Sequence, residues 1–214
     1  MGKMYGTKPR SNPNWETPQF LFEKIIKILS SELDINREEM IDLACNGKNQ
    51  KCDRYFTEQQ NSLAIDWHNH GQWGWLAPPS SGKCRNIKGS LPILFVNKAV
   101  EESKYGFKTI ALLEQKGGEP WQFNLIGLNP YVDFINIIGR MPFVGTKRTG
   151  TFNSGIALFG VKKGYLSQKQ NIKDQFESLL VYKHRDFFKW KKDFSCFDGI
   201  QKNVLSPDDC LIRS

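Results

Sequence analysis

The chain has 214 residues, of which 39% are apolar and 13% aromatic, and it carries a formal net charge of +8. That length fits one domain with a small appendage, and that composition supports a packed core and excludes a disordered chain. No apolar run approaches the ~20 residues of a membrane helix. The opening MGKMYGTKPRSNPNW lacks an apolar signal core, so an intracellular protein is expected, and five irregularly spaced cysteines point to reduced thiols.

The polar, basic leader ends at Asn12-Pro13-Asn14. Thr17 is suited to cap a helix with Pro18 at its first position. Residues 20–33 have helical spacing, with Phe22, Ile25, Ile26 and Leu29 on one face. MIDLAC (40–45) reads as a buried strand, and NGKNQ (46–50) and TEQQN (57–61) as loops. WGWL (73–76) is a strand that stops at two prolines, which cannot donate to a ladder. Residues 90–103 predict a helix capped by Ser90, and FKTIALL (107–113) predicts a strand. WQFNLIGL (121–128) suits a short helix, and residues 132–139 and 149–161 suit two strands joined by the long loop RMPFVGTKR. Residues 176–194 alternate apolar and basic groups and predict a helix folded back on the domain.

Strands alternating with helices imply an α/β fold. Its central sheet should be mostly parallel, with an antiparallel hairpin at one edge. The expected division is a leader over 1–14, a domain over 15–163 and an aromatic, basic extension over 164–214 packed on it. Ligands of such sheets bind at the carboxyl ends of the strands, where the loops after MIDLAC and WGWL would lie. Neither G-x-G-x-x-G nor a Walker loop is present.

Positive charge is clustered. No acidic residue lies between Asp133 and Asp174, yet seven basic ones do: Arg140, Lys147, Arg148, Lys162, Lys163, Lys169 and Lys173. Such clustering favours a phosphate backbone as partner, against the plain alternative of a generally basic surface. Arg140, Lys147 and Arg148 are the foremost phosphate-contact residues.

Five groups of residues could carry chemistry. They are Trp15-Glu16-Thr17-Pro18, Asp42-Leu43-Ala44-Cys45, the stretch Asn49…Cys52…Tyr55…Thr57 with Asn61-Ser62-Leu63, Trp75-Leu76-Ala77-Pro78-Pro79-Ser80, and Gly139-Arg140-Met141-Pro142-Phe143. In this order, from about Trp15 to Val161, they resemble the phage-type, Dam-like DNA N6-adenine methyltransferases. The resemblance implies a Rossmann-like fold that uses S-adenosylmethionine to methylate the N6 amine of adenine in DNA. It also implies a phage or mobile-element origin, protection against restriction and low sequence specificity.

The resemblance places Thr17 and Pro18 by the methionine end of the cofactor and Asp42 near its amino group. Ala44 would let the cofactor approach the backbone, and Asn61 and Ser62 match an element that usually opens with Asp. In the family, Asn, Asp or Ser precedes Pro-Pro and accepts a hydrogen bond from the amine of the flipped base, and an aromatic after it stacks on that base. Here Ala77 and Ser80 flank Pro78 and Pro79. Trp73, Trp75 or Trp121 could supply the stacking face, and Asn61, Ser80 or Ser81 the acceptor. A catalytically silent fold that binds DNA, cofactor or a host partner is the competing reading.

Some residues have plainer readings. His68 and His70 suit a solvated loop. A zinc site from Cys45, Cys52, His68, His70 and Cys84 fits poorly, because the Cys45–Cys52 spacing is not that of a zinc knuckle. No metal is expected. The tail aromatics Phe187, Phe188, Trp190, Phe194 and Phe197 suit packing better than base stacking.

Overall fold

The computed structural model describes residues 16–79, 90–115, 118–141, 143–144 and 153–179, the side chains of 138–140 excepted. Six strands are formed: β1 (Ile41–Cys45), β2 (Arg54–Thr57), β3 (Trp73–Leu76), β4 (Lys108–Glu114), β5 (Val132–Arg140) and β6 (Asn153–Phe159). They make one mixed sheet in the order β2-β1-β3-β4-β6-β5. The first four are parallel to one another, and β6 runs antiparallel to both β4 and β5. The expected α/β sheet with its antiparallel hairpin is present. The loop that joins β5 to β6 lies largely outside the described residues.

The parallel strands are short apolar runs because helices cover both faces of the sheet. On one face lie α1 (Gln19–Ser30) and α4 (Gln170–Ser178). Phe22, Ile25, Ile26 and Leu29 of α1 are all buried there, against Trp73, Trp75, Ile110 and Ile156. On the other face lies α2 (Leu91–Ser103), packed on Leu43, Leu76, Ala111 and Phe107. The short α3 (Pro120–Gln122) continues as a π-helical turn, Phe123–Gly127, and seats Ile126 in that second core. Gly74 shows how close this packing is, since a Cβ there would stand 2.6 Å from Leu43 Cδ1 and 2.9 Å from the Phe107 ring.

Three local expectations are corrected. Pro18, not Thr17, is the N-cap of α1, and its carbonyl accepts from Leu21 N and Phe22 N at 3.1 and 3.2 Å. Proline in an extended conformation starts a helix without needing a side-chain cap. Ser90 stands at the start of α2, but its hydroxyl makes no cap bond. The last helix begins at Gln170, before the predicted 176, and the remainder of 176–194 lies outside the described residues. Its lead-in is fixed by buried Asp133 of β5, which accepts from Gly164 N, Leu166 N and Ser167 N at 3.0, 2.7 and 2.9 Å, and from Ser167 Oγ. β2 was not expected, because only Tyr55 and Phe56 of its four residues are buried and its flanks are polar.

Candidate functional site

The chain leaves β1 toward β2 on one side, then returns to place β3 on the other. Neighbouring parallel strands therefore send their following loops in opposite directions, and a crevice opens between them at their carboxyl ends. The loop 46–53 follows β1, and Ala77-Pro78-Pro79 follows β3. The register Asp42↔Trp75 brings both ends to similar height.

Two further segments reach this edge. Asn46 Nδ2 donates to Glu16 Oε1 at 3.3 Å, which ties the start of α1 to the loop after β1. Val144 N donates to Glu16 O at 2.9 Å, which ties the same residue to the segment after β5. Thus Glu16 joins the start of α1 to the loop after β1 and to Val144, segments distant in sequence. Thr17 and Pro18 are buried in this junction, as are Met141 and Phe143.

Asp42 is 3% exposed and turned into its own loop. Its Oδ1 accepts from Ala44 N at 3.2 Å and its Oδ2 from Lys51 N at 2.8 Å. The carboxylate thereby fixes the loop after β1 as an acceptor of backbone donors, a strong use for a buried acid. Arg37 Nη2 closes the same loop from outside, 2.6 Å from Lys51 O. Asn46 Oδ1 accepts from Lys48 N and Asn49 N, and Gly47 takes φ +76° to complete the turn. Half-buried Ala44 lies at the mouth. Cys45, beside it, is chemically quiet: burial first, then the Asp42 carboxylate, push its thiol up to about 12.

On the far side of β1, the turn after β2 carries Asn61 in the left-handed region at φ 52°. Asparagine tolerates this conformation better than most residues. Its side chain is exposed, whereas Ser62 is buried with Oγ donating to Leu43 O at 2.6 Å. Trp67 Nε1 in turn donates to Ser62 O at 2.8 Å. Glu58 opens this turn at the carboxyl end of β2, and its side chain is exposed.

The three tryptophans separate. Trp75 is fully buried edge-on to Phe22, with ring centroids 4.9 Å apart. Trp73 lies at the amino end of β3 and donates through Nε1 to Asp34 O at 2.8 Å. Both side chains point into the core beneath α1, so neither presents a face to a base. Trp121 is half-buried at the start of the segment that follows β4 and packs against the α2-side core. Ala77 is half-buried and packs on the α1-side core, and Pro78 and Pro79 are half-buried at the edge. Ser80, Lys147 and Arg148 lie outside the described residues, as does the side chain of Arg140.

His68 and His70 do not lie on a solvated loop. His68 donates its backbone N–H to Glu102 Oε2 at 3.0 Å, its Nδ1 lies 2.7 Å from the same oxygen, and its ring stacks on Tyr105 at 4.7 Å. His70 sets its ring edge-on to Phe56. Burial, then the Arg54 charge, lowers the pKa of His70.

A family model described as DNA N-6-adenine-methyltransferase (Dam) matches residues 6–176. The chain is also 25% identical over 141 residues to the DNA N-6-adenine-methyltransferase of Haemophilus phage HP1 (strain HP1c1), across 66% of this chain and 72% of that protein. The ordered elements at the sheet's carboxyl edge and the family match coincide over the same residues, and the chain belongs to the DNA N-6-adenine-methyltransferase (Dam) family.

Proposed function

We propose that this protein methylates the N6 amine of adenine in DNA, with S-adenosylmethionine as methyl donor, on a Rossmann-like sheet whose catalytic domain spans residues 15–163. The observation that carries the reading is the crevice between β1 and β3, where residues 16–18, the loop after Asp42 and Ala77-Pro78-Pro79 converge in a chain of this family.

The residues at this edge fit the cofactor chemically. Its ribose diol needs paired acceptors, and Glu58 and Asn61 offer exposed oxygens at the end of β2. Its methionine end needs backbone access, which Ala44 and Gly47 leave open after β1. Asp42 contributes by holding that loop in shape, and Thr17 and Pro18 by closing it from the α1 side. When bound, the cofactor supplies an electrophilic methyl group on a sulfonium. The Pro78 carbonyl accepts one hydrogen bond from the amine of the base, and Trp121 offers a stacking face. Arg140, Lys147 and Arg148 make phosphate contacts. Few base-specific contacts follow from so short a set of loops, hence weak sequence preference and strong salt dependence.

Ala77 favours one second reading, a fold that binds cofactor or DNA without chemistry. Unmethylated DNA incubated with the protein and S-adenosylmethionine, then digested for nucleoside mass spectrometry, decides between them. N6-methyladenine is the expected product. Intact cofactor binding by calorimetry with no methylated base would establish the silent fold instead.

A further inference from the structure

The family's hydrogen-bond acceptor is missing at position 77, and the sheet places another beside it. Glu114 is the last residue of β4, the strand paired with β3. Ile110 and Leu112 of β4 face the α1-side core, so strand alternation puts Glu114 on that same face. Ala77 packs against the same core. The final recorded pair, Leu76↔Ala111, sets Ala77 level with Leu112, two residues below Glu114. Neighbouring strands stand about 4.8 Å apart and rise about 3.3 Å per residue, which puts the Cβ atoms of Ala77 and Glu114 about 8 Å apart. An exocyclic amine lying over Ala77 would be within reach of a glutamate side chain from there.

The backbone of Glu114 is clamped on both sides. It pairs with Ser154 of β6, and its carbonyl accepts from Gln122 Nε2 at 2.6 Å. The side chain is half-buried. Directly across the pair, the Ser154 hydroxyl is buried and has no hydrogen-bond partner among the described residues, one more polar group on this face. Asn61 is a poorer substitute acceptor. It follows β2, two strand spacings from β3, whereas Glu114 is one spacing away, about 4.8 Å.

We propose that Glu114 is a catalytic residue, its carboxylate accepting an N–H of the target amine in place of the side chain absent at Ala77. This rests on the methyltransferase reading above. The accepted bond keeps the nitrogen lone pair available. That pair forms the N–CH₃ bond as the C–S bond of the sulfonium donor breaks, leaving its electron pair on sulfur as a thioether. The nitrogen then sheds one proton to the Glu114 carboxylate, which returns it to water.

The test compares wild type, Glu114→Ala and Glu114→Gln by kcat on unmethylated DNA, with S-adenosylmethionine affinity by calorimetry as the folding check. Losing the acceptor should lower kcat about 10²–10³-fold in Glu114→Ala, with cofactor affinity unchanged. Glu114→Gln, which keeps an oxygen but not the base, should fall less. Adding Ala77→Asn to Glu114→Ala should recover at least about tenfold by restoring an acceptor. Wild-type kcat in Glu114→Ala overturns the proposal, as does equal loss in both variants with no recovery by Ala77→Asn. A wild type that binds cofactor but makes no N6-methyladenine overturns the methyltransferase reading itself, and Glu114's role with it.

Discussion

Glu102 offers the sharpest test of how the crossover before β3 is held. It sits on α2, fully buried, and three donors converge on it: Lys98 Nζ at 2.5 Å, His68 Nδ1 at 2.7 Å and His68 N at 3.0 Å. Asp66 meets the same lysine at 3.5 Å, and the Lys98 ammonium stands 5.9 Å over the Trp67 ring. Burial opposes ionisation of Glu102, but the hydrogen bonds from Lys98 and His68 outweigh it and hold the carboxyl below its usual range. Glu102→Ala would leave a largely buried ammonium and a backbone N–H without their acceptor. Breaking a buried pair in this way costs about 3–5 kcal/mol, and for a domain of this size that is a fall in Tm of about 6–20 °C. Because the folded pKa is lowered, the stabilisation is complete above the ordinary carboxylate value of about 4.3 and is lost as pH falls through the folded value. Urea unfolding of wild type and Glu102→Gln across pH should therefore show a gap at pH 7 that shrinks below about pH 4. A loss under about 1 kcal/mol in Glu102→Ala, or a gap that ignores pH, would refute the reasoning.

Other perturbations have equally direct expectations. Gly74→Ala forces a methyl group against Leu43 and the Phe107 ring, and should lower stability by about 1–3 kcal/mol in denaturant titrations. Ser62→Ala strips a buried donor from Leu43 O and should cost about 1–3 kcal/mol, with weaker binding of S-adenosylmethionine by calorimetry. Asn61→Ala should cost about 1 kcal/mol because φ is positive there, while Asn61→Gly should cost nothing measurable by thermal melting. Cys45, with its thiol pushed up to about 12, should escape iodoacetamide in the native protein at pH 8, as read by peptide mass mapping.

The elements that read most plainly from sequence are those with a single physical cause. α1 shows its buried face at helical spacing, and WGWL ends where two prolines end any ladder. β2 was hidden because two buried residues between polar flanks carry no usable period. The histidines were misplaced for a related reason: their neighbours in sequence are polar, but the partner that buries His68 is Glu102, 34 residues away. Trp73 and Trp75 illustrate the converse. Their closeness to the Pro-Pro loop in sequence suggested a base-stacking wall, yet strand alternation turns both under α1. Asp42 was legible as an acid in an apolar run, while its use, to accept two backbone donors of its own loop, depends on how that loop returns.

The same distinction bears on Ala77. A motif describes a loop along the chain, and by that measure the site has lost an acceptor before Pro78 and an aromatic after Pro79. A base, however, is held by strand ends side by side, and neighbours across a sheet are far apart in sequence. Leu76 and Ala111 pair, so Glu114, three residues beyond Ala111, and Ala77, one beyond Leu76, lie at the same end of the sheet. A substitution that empties one strand's tip can be offset from the next strand without any trace in the motif. For this chain the informative position is therefore the end of β4, where an acid follows an otherwise apolar run, KTIALLE. An acid placed there solely for solubility would tolerate alanine with full activity, and one that holds the amine would not.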